Sequence, residues 1–145
     1  MPTTLESLQS TLSGEHAAVW LYAVLGGQTS RSSQPLLFET LTRSYGVHRS
    51  RRDQLISMIR DLGVVPAAAA AAYDLPNDAS TPTKVNRAAR EIESRCAGLY
   101  AELVAGTYDS QRRWAIGALT DAAVRGLDYR GSPEIFPGLA EFADR

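Results

Sequence analysis

The 145-residue chain is expected to fold as an all-α, up-and-down four-helix bundle with a long crossover between its second and third helices. Three observations carry that expectation. Four segments repeat apolar residues at helical spacing, and none alternates apolar and polar residues as a half-buried strand does. The breaks after the first and third segments are short, which makes the joined helices antiparallel neighbours. The middle break holds roughly eighteen residues, a length needed when helices two and three run parallel and the chain must cross the bundle.

The first helix is expected from about Thr4 to about Ser30, with Leu5, Leu8, Leu12, Glu15, Val19, Tyr22 and Gly26 along its inner stripe. These alternate steps of three and four, the seam pattern of a bundle. Gly26 and Gly27 loosen its last turn, and the polar run Gln28 to Gln34 connects it to the second helix. That helix opens at Pro35, a residue suited to a first turn, and runs to Leu62 before Gly63 stops it. Its stripe is Leu41, Tyr45, His48, Arg52, Leu55, Ile59 and Leu62. Pro66, Pro76 and Pro82 punctuate the crossover, whose alanines 67–72 are expected to pack as a compact connection rather than a further helix.

The third helix is expected over 82–107, with Val85, Ala89, Ile92, Cys96, Leu99 and Leu103 inward and Glu93 on the flank beside Tyr100. The fourth is expected over 110–129 behind Ser110 as N-cap, with Trp114, Gly117, Asp121, Val124 and Asp128 on one side. The tail, 130–145, is expected to lay Ile135, Phe136, Leu139 and Phe142 against the bundle, making 1–145 a single domain.

Composition removes several classes of function. Apolar residues make up 44% of the chain, so it is not intrinsically disordered. No apolar run approaches the ~20 residues that cross a bilayer, so no membrane partner is expected. Met1-Pro2-Thr3-Thr4 lacks the basic and apolar regions of a signal peptide, and the expected location is the cytoplasm. The lone Cys96 excludes an internal disulfide and any site built on several cysteines; a small buried core residue is expected there. A net charge of −1 argues against nucleic acid as a partner. Fourteen arginines against one lysine fit the codon usage of a GC-rich genome, so arginine abundance carries no argument by itself. No glycine-rich phosphate loop follows a strand, and no serine is placed against His48 for nucleophilic chemistry.

Glu15, His48, Glu93 and Asp121 each fall near the middle of an expected helix, at one level of the bundle. A buried charged group is costly unless paired or bound to a metal. Two arrangements therefore compete for these four residues: a metal centre, or an internal ion-pair cluster closed by Arg52, with Tyr45 adding a paired hydroxyl to the same buried polar network. His16 lies ~100° around the helix from Glu15 and is expected to pack or face solvent.

Further motifs widen the comparison: Glu15-His16-Ala17-Ala18, His48-Arg49 with Arg51-Arg52-Asp53, Leu119-Thr120-Asp121-Ala122-Ala123-Val124-Arg125, and Phe136-Pro137-Gly138. In order and spacing the chain resembles the ferritin-like superfamily, especially a bacterial ferritin-like family of unassigned function. The resemblance implies a dimetal site made of one Glu from each of two helices and a Glu-x-x-His from each of the others. Glu15, Glu93 and His48 match that set, and Asp121 stands in a carboxylate place. Tyr45 stands three residues before His48, where a carboxylate belongs, and Val124 replaces the second histidine. Three carboxylates are too few to offset two divalent cations. One metal with neutral His48 leaves −1, which Arg52 cancels; without metal, Arg52 and protonated His48 leave the same −1.

The expected function is accordingly a non-catalytic binding or assembly scaffold with a degenerate, cofactor-free polar centre, taking a small ligand or a protein partner. The alternative is an iron- or manganese-dependent oxidase or oxygen-handling protein that uses the reduced ligand set. A C2 homodimer is expected in the assembly reading, since bundles of this kind pair side by side.

Overall fold

A computed structural model describes residues 1–130, which form four α-helices with no strand among them. They are α1 (Thr4–Gln28), α2 (Pro35–Asp61), α3 (Pro82–Gly106) and α4 (Asp109–Arg130). The tail positions Ile135, Phe136, Leu139 and Phe142 lie outside the described residues. No described helix is long and apolar enough to cross a membrane.

Local chemistry sets the helix ends. The Thr3 side chain accepts a hydrogen bond from the Glu6 amide at 3.2 Å, and the Glu6 carboxylate accepts one from the Thr3 amide at 2.7 Å. This reciprocal capping box satisfies two amides that the first turn leaves without partners. Thr3→Ala is therefore expected to cost about 1 kcal/mol, read as a lower urea midpoint with unchanged slope. Pro35 opens α2, and Gly63 closes it with φ +74°, a left-handed conformation that glycine adopts without a Cβ clash. Thr81 caps α3 by accepting from the Lys84 amide at 3.2 Å.

Side-chain pairings define the topology. Thr4 Oγ1 donates to the Gly106 carbonyl at 2.7 Å at one end of the α1–α3 pair, and Tyr22 reaches Ala89 and Glu93 at the other, so α1 and α3 are antiparallel. Ser44 meets Tyr129, and Gln54 meets Trp114, so α2 and α4 are antiparallel as well. Helices α2 and α3 consequently run in the same direction, and residues 62–81 carry the chain from one end of the bundle to the other.

That crossover is fastened to α1. The Gln9 side chain donates to the Val65 carbonyl at 2.8 Å and accepts from the Ala67 amide at 2.7 Å, while the His16 ring meets the Ala67 carbonyl at 2.9 Å. His16 thus has a structural job away from the bundle centre.

The core forms two apolar layers. Leu8, Leu12, Leu55, Ile59, Leu103 and Ala115 make one. Leu21, Leu25, Leu41, Val85 and Ile92, with the alanines of α3 and α4, make the other. Between them lies a band of polar side chains. Helices α3 and α4 face each other through small residues, Ala88, Ala89 and Ala97 against Ala118 and Ala122. The buried side of α4 is Ala115, Ala118, Ala122, Arg125 and Tyr129, one residue on from the side expected from the sequence. The three alanines of this seam allow close helix approach, while Arg125 and Tyr129 reach from it to Glu93 and Ser44.

Candidate functional site

The polar band is built around His48. Its Nδ1 lies 2.7 Å from Glu15 Oε2 and its Nε2 lies 3.0 Å from Glu93 Oε1, and all three side chains are buried. An ionised carboxylate only accepts, so both ring nitrogens carry hydrogen and the imidazole is an imidazolium. Burial alone would push its pKa down; hydrogen bonds and charge from Glu15 and Glu93 outweigh that and hold it up to about 9. The Tyr22 ring stacks on this cation, with centroids 5.3 Å apart.

Glu93 collects most of the donors. Its Oε1 accepts from Tyr22 Oη at 2.7 Å, from Arg125 Nε at 3.1 Å, and from His48. Burial raises the Glu93 pKa, but His48, Arg125 and Tyr22 together leave it below the ordinary carboxylate value. Arg125 also donates to Asp121 Oδ2 at 2.8 Å, and Arg51 donates to the same oxygen. Burial of Asp121 opposes its ionisation, and the two guanidinium groups overcome that and lower its pKa. Arg51 donates on to Tyr100 Oη at 3.2 Å, and Tyr100 donates to Glu15 Oε1. Burial, followed by the neighbouring Cys96 and Glu15, raises the Tyr100 phenol, which keeps it protonated as a donor.

The circuit closes on itself, from Glu15 through His48, Glu93, Arg125, Asp121, Arg51 and Tyr100 back to Glu15. Three carboxylates face one imidazolium and two guanidinium groups, so the formal charge of the circuit is zero.

The structure brings Glu15, His48 and Glu93 together and leaves Asp121 at the edge, its side chain 48% exposed. Two expected members of the network lie elsewhere. Arg52 points away from His48 and pairs with Asp53 at 2.8 Å, half-buried at the surface. Tyr45 is half-buried against the apolar layer beside α1 instead of in the circuit, and Arg49 rests 5.6 Å from its ring centroid. The cause is rotational: α2 buries Leu41, Ser44, His48, Arg51 and Leu55, so the step after each of Leu41 and His48 is three residues, not four. Ser44 and Arg51 occupy the places expected for Tyr45 and Arg52. Arg51, Arg125, Tyr22 and Tyr100 are the functional residues the sequence reading did not assign to the site. Tyr22 lay on its expected stripe and Tyr100 beside Glu93, so two of the four carried a signal.

The donor set can be tested against a metal ion. Glu15, His48 and the buried Cys96 offer one ligand atom each, all within 4.8 Å of one another. Against ligation, both His48 nitrogens are engaged by carboxylates and neither presents a lone pair. Burial, then Glu15 and Glu93, pushes the Cys96 thiol well above its ordinary pKa, which disfavours the thiolate a metal requires. Arg51 and Arg125 already occupy the charge of Asp121 and Glu93. Glu93 Oε2 is buried without a hydrogen-bond partner, but one free carboxylate oxygen is not a ligand set, and in this arrangement the residues do not fit iron or manganese.

Fold and centre together define a class: an all-α four-helix protein with a buried, charge-neutral hydrogen-bonded circuit at mid-height. Residues 7–141 match the model of a family described as a domain of unknown function (DUF4439), and the chain belongs to that family. Among solved structures it is similar to a conserved hypothetical protein, Rv2844, from Mycobacterium tuberculosis, with a TM-score of 0.79 and 28% identity. That match covers 86% of this chain and 92% of the other. No curated protein matches the chain.

Proposed function

We propose that the protein is a non-catalytic binding scaffold of ferritin-like type whose mid-bundle polar centre works without metal. The observation that carries this reading is the neutral circuit, in which each carboxylate already has a cationic partner. A site evolved to hold divalent iron or manganese keeps free ligand atoms and open coordination positions. Here both His48 nitrogens, both Glu15 oxygens and Glu93 Oε1 are spent on hydrogen bonds, and two arginines stand where a metal's charge would be needed, although the buried Glu93 Oε2 has no hydrogen-bond partner. The parallel α2 and α3 with a long crossover support the ferritin-like part of the proposal.

The closeness of Glu15, His48 and Cys96 favours a second reading, a single-metal centre formed after His48 loses its proton. Elemental analysis separates the two. Protein purified without chelator from cells supplied with iron and manganese is expected to carry only background metal, and His48→Gln is expected to leave that content unchanged. Near-stoichiometric metal that disappears in His48→Gln overturns the scaffold reading.

A further inference from the structure

A cavity of about 360 Å³ opens between α1 and α2, next to the polar centre and sharing Tyr22 with it. Tyr22, Gly26 and Gly27 line it from α1, and Phe38, Leu41 and Tyr45 from α2. Its size falls at the lower end of small-molecule sites, and its walls are mostly apolar, as such sites require. A Cβ placed on Gly26 or Gly27 meets nothing within 4 Å, so the helix backbone there is bare and flat toward the cavity. Three aromatic rings complete the walls.

The rim is cationic. Arg31 lies 5.9 Å from the centroid of Phe38, and Arg49 lies 5.6 Å from that of Tyr45. Neither arginine forms an ion pair among the described residues. Phe38 and Tyr45 are seven residues apart on α2, about 10 Å along the helix, so the rings that carry the two guanidinium groups are well separated in the cavity wall. Both arginines are exposed beside the wall rings without being part of the lining, and a guanidinium can receive a carboxylate or sulfonate in paired hydrogen bonds. The Thr42 hydroxyl, also in the lining, donates to the Phe38 carbonyl at 2.8 Å and so offers the cavity an acceptor rather than a donor.

We propose that this slot binds a small, flat aromatic anion, its ring face against the Gly26–Gly27 backbone and the aromatic walls, its charge on Arg31 or Arg49. The proposal names the ligand class of the binding scaffold and rests on that reading. It is tested independently of metal content, so each can fail alone.

The test uses the full chain and the fluorescent aromatic sulfonate 1-anilinonaphthalene-8-sulfonate, with uncharged N-phenyl-1-naphthylamine as the control probe. Folded protein is expected to bind one equivalent of the sulfonate saturably. Arg31→Gln with Arg49→Gln is expected to weaken the sulfonate about tenfold, the effect of losing one charge-assisted contact, while the uncharged probe changes little. Gly26→Leu fills the slot and is expected to abolish both signals. It also replaces glycine by a better helix former, so a folding defect does not explain the loss. Gly117→Leu makes the same change on α4, where a Cβ also meets nothing within 4 Å, and is expected to bind as the parent does. Unchanged binding in Gly26→Leu, or equal loss of both probes in the double arginine variant, overturns the proposal. So does binding that vanishes as protein concentration rises while light scattering reports a dimer, because the slot is then filled by a second copy.

Discussion

Glu93→Gln is expected to destabilise the folded chain by about 3–5 kcal/mol, the cost of removing one partner from a buried ion pair. The substitution keeps size and shape and removes one negative charge. Arg125 and the His48 imidazolium then remain buried with Asp121 and Glu15 as their only carboxylate partners, and the circuit carries +1. The new amide can keep its oxygen at the Oε1 position that Tyr22, His48 and Arg125 share, but its NH2 then replaces Oε2, a buried position with no hydrogen-bond partner. Urea unfolding followed by far-ultraviolet circular dichroism reads the loss as a shift in midpoint. A change below about 1 kcal/mol, the range of an exposed ion pair, would show that water reaches Glu93 and that the circuit is not closed.

Stability is also expected to fall as the solution becomes alkaline. His48 titrates at about 9 in the folded chain, against an ordinary value of 6.5. A group whose pKa is raised by folding contributes its full stabilisation below the unfolded value and loses it as pH rises through the folded one. The contribution is therefore complete below about pH 6.5 and declines up to about pH 9, by about 3 kcal/mol in all. Glu93 acts in the opposite sense. Its lowered pKa gives stability that is present above the ordinary carboxylate value and is lost as pH falls through the folded one. A plateau in weakly acidic solution results, with a slope on either side. Unfolding free energy measured from pH 6 to about pH 8.5, below the range in which the buried Cys96 thiol adds a slope of its own, checks the alkaline decline, and His48→Gln should flatten it there. A His48 ring that titrates near 6.5 by nuclear magnetic resonance would contradict the imidazolium.

The helices and the crossover were legible because they depend on coarse signals: a 3.6-residue period, prolines at helix starts, and a connection too long for a hairpin. The level of the centre was legible too, since Glu15, His48 and Glu93 meet as their mid-helix places imply. Rotation was harder to read. On α4 the two large apolar residues, Trp114 and Val124, drew the stripe one position early, but Val124 is 60% exposed. The true seam holds alanines whose value lies in their small size, a property that a hydrophobic stripe does not register. A one-residue error turns a helix by ~100°. It therefore hid Arg125 and Tyr129 and placed Asp121 too deep. On α2 the same ambiguity decided between Arg51 and Arg52, adjacent residues of identical chemistry that only the facing surface of α4 distinguishes.

The crossover has an implication for how the two halves recognise each other. The hairpin before it contributes Glu15, His48 and Arg51, a set with one surplus positive charge; the hairpin after it contributes Glu93, Asp121 and Arg125, with one surplus negative charge. Each half is thus the counter-ion of the other. Two copies of the same hairpin docking face to face would trap like charges in an apolar interior, whereas unlike hairpins cancel, whether joined in one molecule or exchanged between two. The wiring of the centre in this way selects the correct mate during assembly, in addition to holding it afterwards.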